Sequence, residues 1–373
     1  MRVLLSGYYG FGNLGDEALL EVIVSRIRAR FPNVDIEVLS ATPGLTAAAF
    51  NVEASSRWEW RAVRDAIRRA DVVVSGGGGL LQNSTSLRSL LYYGGIVREA
   101  IRTKRRTMIF AQSIGPLDRL GRFLVRRFCK GVRRATVRDE RSRELLHALV
   151  PNTPIERTAD PVFLYDLPVS DADLSGEGLG PESGPYAIVS VRKIPAFKDG
   201  AAVVASAVDR LAREHGVRVA FLPLGGAGDA EVSTEIIRAC ASAPVLLPER
   251  SLAKAAAALR GARVVIGMRL HALVFAARFG VPFLAVPYDP KVAALCDELA
   301  YPLESLWTPG TRRPDDATVD ALVDRLMSQH DALAAHLRQQ IAAVRASAER
   351  NFDVLGELLR DDRPAQGETG NVE

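Results

Sequence analysis

The stretch Val3-Leu4-Leu5-Ser6-Gly7-Tyr8-Tyr9-Gly10-Phe11-Gly12-Asn13-Leu14-Gly15-Asp16 decides the fold class. A short apolar run leads into a loop with four glycines, and a helical pattern follows from about Asp16 to Arg30. This strand–loop–helix unit recurs. Val34–Leu39, Val72–Ser75, Thr107–Ala111 and Ala135–Val137 read as strands, and Trp58–Arg69, Leu87–Thr103, Phe123–Val132 and Arg141–Leu149 as helices. Such alternation predicts an α/β fold whose parallel sheet is covered on both faces.

Residues 166–185 break the pattern with Pro, Gly, Ser and acidic residues and read as a linker. The alternation then restarts, with strands at Ala187–Val191, Val217–Leu222, Val245–Leu247, Val264–Ile266 and Phe283–Val286. The expected organisation is a Rossmann-like domain over 1–165, a linker over 166–185 and a second Rossmann-like domain over 186–316. C-terminal helices over 317–360, broken near Ser328, and a disordered polar tail over 361–373 complete it.

The chain has 373 residues, 48% of them hydrophobic, enough for two cores. Its longest apolar stretch, Leu270–Val286, is interrupted by Arg278, Gly280 and Pro282, and falls short of the ~20 apolar residues of a membrane span. Met1–Ser6 is too short an apolar run for a signal peptide. Cys129, Cys240 and Cys296 are scattered, which suits a reducing cytoplasm and argues against a disulfide framework. Charge is uneven: residues 1–165 carry 26 Lys and Arg against 16 Asp and Glu, a balance of +10. The excess concentrates in Arg98–Arg106 and Arg119–Arg134. These are either solvated helix faces or a surface for peripheral contact with an anionic membrane at the inner leaflet. Nucleic acid is disfavoured, because the basic segments lack interleaved aromatics apart from Phe123 and Phe128 and carry no known motif. The oligomeric state is not legible.

In open parallel sheets ligands bind beyond the carboxyl ends of the strands, so the residues just after each strand carry the chemistry. After the first strand come Gly12 and Asn13 in the glycine loop, with Asp16 and Glu17 at the helix start, a place that favours anions. The spacing matches neither the dinucleotide fingerprint nor the Walker motif. Simple capping explains Asp16 about as well as function does, and Glu17 better. Gly76, Gly77 and Gly78 within Ser75–Gly79 suggest backbone pressed against a ligand, the alternative being a flexible turn. Asn83, Ser84 and Thr85 supply neutral donors suited to a sugar, and Gln112 and Ser113 end a further strand. Arg138, first after Val137, offers a planar fork for a carboxylate or phosphate.

Gly267-Met268-Arg269-Leu270-His271 follows the strand Val264–Ile266. A lone histidine is more often structural, but strand-end position, the preceding glycine and Arg269 favour function for His271. Lys291 opens the next helix, against the macrodipole preference, which an anion there would offset. Arg192-Lys193 and Gly225–Asp229 are secondary candidates for an anion pocket. With no clustered His, Cys or carboxylates, a catalytic metal is not expected.

At these residues the chain resembles the polysaccharide pyruvyl transferases, of the CsaB type. The resemblance rests on Gly7–Asp16 (GYYGFGNLGD), Ser75–Leu81 (SGGGGLL), Gln112–Pro116 (QSIGP), Val137–Ser142 (VRDERS), Asp160–Phe163 (DPVF), Gly267–Ala272 (GMRLHA) and Tyr288–Val292 (YDPKV), in that order. Ala111 stands where many relatives are expected to have Gly. The resemblance implies a glycosyltransferase-B-like fold, two facing doubly wound domains with the site between them. It implies transfer of pyruvate from phosphoenolpyruvate, a co-substrate with no further cofactor, to N-acetylmannosamine of a lipid-linked cell-wall precursor. The product would be a 4,6-ketal used for S-layer anchoring. By motif match Arg138, His271 and Lys291 form the donor site, and Asp16 serves the acceptor or catalysis.

The donor carries a phosphate and a carboxylate, which Arg138 and Lys291 would neutralise, with Arg269 as a third cation. His271 would act as acid, since an imidazole titrates near neutral pH, and Asp16 would take the proton of the attacking hydroxyl. A nucleotide-sugar-dependent glycosyltransferase of the same fold is the alternative, although the paired-glutamate or acidic metal motif it usually carries is not found. A non-catalytic binding protein would need the glycine loops but not the His271–Lys291 pair.

Overall fold

A computed structural model of the chain describes residues 1–84, 86–166, 174–177, 179, 184–194, 198–248 and 251–361. Thr85, most of the expected linker and the tail beyond Asp361 lie outside these residues. The chain divides into two compact units. The first comprises Met1–Gly12, Asp16–Leu164 and the chain from Arg345 on; the second comprises Asn13–Gly15 and Tyr165–Val344.

The first unit runs β1 (Arg2–Ser6), α1 (Leu14–Arg30), β2 (Asp35–Ser40), α2 (Pro43–Phe50), β3 (Glu53–Ser56), α3 (Trp60–Arg69), β4 (Val72–Gly78), α4 (Leu87–Arg102), β5 (Arg106–Gln112), α5 (Arg119–Cys129), β6 (Arg134–Val137), α6 (Glu140–Leu149) and β7 (Ile155–Arg157). Its seven strands are ordered β3-β2-β1-β4-β5-β6-β7, all paired in parallel. Parallel strands are covered by helices on both faces, which is why Val72, Val73 and Val74 are all fully buried. The second unit runs β8 (Tyr186–Ser190), α7 (Lys198–His215), β9 (Arg218–Phe221), α8 (Ala227–Ala239), β10 (Val245–Leu246), α9 (Leu252–Gly261), β11 (Val264–Gly267), α10 (Leu270–Phe279), β12 (Phe283–Ala285), α11 (Pro290–Glu298), α12 (Asp316–Ser328) and α13 (His330–Leu359). Its strands are ordered β10-β9-β8-β11-β12, again all parallel. Both units are Rossmann-like. The order of winding reverses between β1 and β4 in the first and between β8 and β11 in the second, and these two crevices are where loops can hold a ligand.

The C-terminal half of α13 returns to the first unit. Phe352 packs edge-on to Phe110 with ring centroids 5.2 Å apart. Arg350 grips Glu156 with two hydrogen bonds of 2.7 and 2.9 Å. The buried amide of Asn351 is satisfied by Ala159 and Ala348 carbonyls and by the Thr158 hydroxyl.

Four elements differ from the sequence expectation. The strands β3 and β7 and the helix α2 were not foreseen, and β4 continues to Gly78 rather than stopping at Ser75. Glu-Ala-Ser-Ser and Ile-Glu-Arg are half-exposed edge strands, and they lack the apolar run that marks a buried one. In β4 the glycines stay in the ladder, with Gly76 opposite Phe110 and Gly78 opposite Gln112.

Ala111, where glycine was expected, sits on a bulge in β5. Between Ile109 and Gln112 the register with β6 shifts, and buried Ala111 adopts φ 47°. Its amide, lost to the ladder, donates to the Thr136 hydroxyl at 2.8 Å. The left-handed strain of an L-residue, about 1–2 kcal/mol, is close to what glycine would lose in chain entropy and buried methyl area. Ala111→Gly is therefore expected to be nearly neutral in urea unfolding. Ala111→Val, favourable in an ordinary buried strand, should cost several kcal/mol, and Thr136→Val about 1–3 kcal/mol through the orphaned amide.

Candidate active site

In the second unit the crevice is organised by Ser190, the fully buried last residue of β8. Its carbonyl accepts from the amides of Met268 (2.8 Å) and Arg269 (3.3 Å), and its hydroxyl donates to the Leu222 carbonyl at 3.0 Å. One residue thus ties together the loops that follow β8, β9 and β11. Arg269 does not stand free there. Its guanidinium holds Asp229 through two hydrogen bonds, one from Nε at 2.7 Å. The Gly225 amide donates to the same carboxylate at 2.8 Å. A Cβ on Gly225 would lie 1.8 Å from Arg269 Nη2. The Gly225–Asp229 loop, read from sequence as part of an anion pocket, therefore wraps the protein's own arginine.

The basic groups that reach this crevice come from three neighbouring strands. Arg192, after β8, donates to the Tyr288 hydroxyl at 2.9 Å and lies over its ring at 5.5 Å. Burial pulls its pKa down, but Tyr288, Asp229 and Asp289 outweigh this and hold it above the ordinary arginine value. Its neighbour Lys193 turns outward to Glu231, 2.6 Å away. His271 sits half-buried in the first turn of α10 after β11, and Lys291 in the first turn of α11 after β12. Lys291 Nζ lies 3.3 Å from Asp289, whose carboxylate also caps α11 by accepting the Lys291 amide at 3.1 Å. Asn13–Gly15 packs with this unit: the Leu14 amide donates to the Leu224 carbonyl at 2.9 Å. A Cβ on Gly15 would be 2.0 Å from His271 Nδ1. Sequence reading had no means to pair Gly15 with His271, 256 positions away.

In the first unit the glycine-rich segments are likewise occupied by side chains of the chain itself. A Cβ on Gly76 would meet the Tyr9 hydroxyl at 2.9 Å, one on Gly77 would meet Leu19 at 2.9 Å, and one on Gly78 would meet Asp16 Oδ1 at 3.2 Å. The Gly10 amide donates to the Glu17 carboxylate at 2.8 Å, so this carboxylate takes a place where an anionic ligand was expected. Burial raises the Glu17 pKa against the amide hydrogen bonds of Gly10, Gly12 and Phe11. Gly12 is exposed with φ 73°, and Asn13 Oδ1 accepts from the Gly15 amide at 3.1 Å.

Arg138, expected to point into a crevice, is buried and ion-paired with Asp160, and donates to Ser113 Oγ at 3.2 Å. A desolvated guanidinium needs a counter-charge, and the chain supplies one. Asn83 accepts the Asp118 amide at 3.2 Å and packs on Gly121, so it braces the start of α5. Gln112 is fully buried and donates to the carbonyl and hydroxyl of Ser75, both at 2.8 Å. Gln112 Oε1 and the Tyr9 hydroxyl are buried with no hydrogen-bond partner among the described residues. Orphans of this kind mark places where a ligand group or water completes a network. The acids missed by sequence reading, Asp160 and Asp229, stand in segments it singled out (DPVF and GGAGD), but their arginine partners are set only by the fold.

Solved structures place the architecture among sugar-nucleotide enzymes. The chain superposes on Alr3699/HepE of Anabaena in complex with UDP-glucose with a TM-score of 0.64 at 10% identity, covering 96% of this chain and 99% of that one. It superposes on UDP-bound MnaA of S. aureus at 0.68 and 9% identity, covering 98% and 100%. Against sucrose-phosphate synthase of Thermosynechococcus elongatus the values are 0.64 and 10%, covering 96% and 99%. At such identities the likeness is one of fold, that of glycosyltransferase-B enzymes and epimerases. No curated protein sequence matches the chain. The profile of the family described as polysaccharide pyruvyl transferase matches residues 13–290, about three-quarters of the chain, and the protein belongs to that family of transferases. No described helix is long and apolar enough to cross a membrane.

Two substitutions test this construction. Gly15→Ala is expected to displace the His271 ring and abolish transferase activity, with circular dichroism and melting temperature close to wild type. Asp229→Asn leaves a partly buried guanidinium, 14% exposed, without its counter-charge and should lower stability by about 1.5–3 kcal/mol in denaturant titration.

Proposed function

We propose that the protein transfers the pyruvyl group of phosphoenolpyruvate to N-acetylmannosamine of a lipid-linked cell-wall precursor. The product is a 4,6-ketal of the kind that anchors S-layer proteins. The observation that carries this reading is the set Arg192, His271 and Lys291, delivered to one sheet edge by β8, β11 and β12. A donor with a phosphate and a carboxylate on one enol carbon needs clustered cations, and Arg192 and Lys291 supply two, with Lys291 exchanging Asp289, 3.3 Å away, for the donor. Family membership supports the reaction class.

In this reading Arg192 and Lys291 bind the anionic groups of the donor, and Lys291 is presented from a helix N-terminus that itself favours anions. His271 delivers a proton to the methylene carbon, which becomes the methyl group, and C2 becomes electrophilic. One sugar hydroxyl attacks C2, the C2–O bond to phosphate breaks, and the second hydroxyl closes the ring. Of the two hydroxyl protons, one balances that taken by the methyl group and the other leaves on inorganic phosphate. No metal or further cofactor enters the balance. Asp16 is proposed to accept a hydroxyl proton. Arg138 acts through Ser113 and Gln112, and its Nε has no hydrogen-bond partner among the described residues.

The protein is incubated with phosphoenolpyruvate and an N-acetylmannosaminyl lipid analogue, and phosphate release and product mass are followed. The expected outcome is stoichiometric phosphate and a pyruvyl mass increment, lost in His271→Ala and in Lys291→Ala while both variants stay folded. Near-full activity in either variant removes that residue from the mechanism. The likeness to UDP-bound enzymes favours one rival, a nucleotide-sugar-dependent glycosyltransferase. UDP release from UDP-sugars without pyruvyl incorporation would establish the rival instead.

A further inference from the structure

The chain has three tryptophans. Trp307 is buried, but Trp58 is 67% and Trp60 44% exposed. They stand two residues apart among the exposed apolar side chains of the first unit. Tyr8 and Phe11 stack with ring centroids 4.1 Å apart, and Phe11 meets Trp58 edge-on at 5.7 Å. The Trp58 indole is fixed outward by donating to the Ala41 carbonyl at 3.2 Å. The Trp60 ring lies on α4 over Gly95, where a Cβ would be 3.8 Å away. Leu91 and Leu87, both exposed, precede Gly95 by one and two turns on the same helix face. Beside α4 runs α5, its Phe128 against Gly94. It exposes Leu120 and Phe123 on a segment, Arg119–Arg134, with seven basic residues and no acidic one. Exposed Arg61 and Arg88 adjoin Trp60 and Leu87; the exposed carboxylates nearby in sequence among the described residues are Glu59 and, at the start of α5, Asp118.

We propose that the surface formed by Tyr8, Phe11, Trp58, Trp60, Leu87 and Leu91 docks the protein peripherally on an anionic lipid bilayer. Indole rings settle at the headgroup level, leucines reach the acyl boundary, and the flanking arginines are attracted to an anionic leaflet. A glycan would need one or two of the rings. It would not use the leucines on the outer face of α4 or the arginines beside them. A lone basic face would bind any polyanion, but here the charge is interleaved with exposed apolar side chains. The inference stands whether or not the pyruvyl reaction is the one catalysed.

The full chain is mixed with phosphatidylcholine vesicles, with and without phosphatidylglycerol, and followed by co-sedimentation and tryptophan emission. Two of three tryptophans lie in the proposed contact, so anionic vesicles should shift emission to the blue, and acyl-brominated lipid should quench it. Neutral vesicles should bind far less, and high salt should weaken the interaction. Trp58→Ser/Trp60→Ser and, separately, Leu91→Glu should each lower partitioning at least about tenfold; Leu91→Glu keeps both reporters, and circular dichroism checks its fold. No co-sedimentation with anionic vesicles at low salt overturns the proposal. So does an equal blue shift with a soluble oligosaccharide, or oligonucleotide binding with the same dependence on the two tryptophans.

Discussion

A bidentate pair between Arg269 and Asp229, almost removed from solvent, holds the strand-end loops of the second unit in place. A guanidinium in that position would be prohibitively costly alone, and a carboxylate equally so; together they are tolerated because both ends of the fork are satisfied. The Gly225 amide adds a third hydrogen bond to the carboxylate. The loop after β9 is thereby fastened to the loop after β11, and Ser190 fastens both to the end of β8. His271, two residues beyond Arg269, inherits its position from this clamp.

The first unit repeats the device with other residues. Arg138 and Asp160 pair behind Ser113, and Gln112 reaches back to Ser75, so the ends of β4, β5 and β6 are joined by buried polar contacts. Glycines beside these contacts admit Tyr9 and Leu19 where a Cβ would lie only 2.9 Å away, and Asp16 where it would lie 3.2 Å away. In both units, then, many of the glycines and arginines that look like ligand-binding groups are used to assemble the crevice. Among the described residues, buried side-chain atoms without a hydrogen-bond partner include the Tyr9 hydroxyl and Gln112 Oε1.

Buried elements were legible and exposed ones were not. Apolar strands such as Val72–Val74 and Val264–Ile266 announce themselves because both of their faces must be covered. The edge strand Glu53–Ser56 has no such pattern, yet it leads into Trp58, one of the exposed aromatic side chains. Ala111 stood out in the sequence as a departure from the family pattern. Its setting, a bulge with a left-handed residue and a hydroxyl from β6 on its amide, is a property of three strands at once.

Local order along the chain determined the alternation of strands and helices, the parallel sheets, and the positions where strand ends must present chemistry. These follow from side-chain periodicity and from glycine and proline placement, which act over a few residues. The motifs also carried the family. Only tertiary structure decided which of the charged residues at those strand ends are neutralised. Arg269 finds Asp229 across 40 positions and Arg138 finds Asp160 across 22, while His271 lies against Gly15. A charge costs little in water and much in a protein interior, so its role depends on what the fold places beside it, and no local pattern encodes that neighbour.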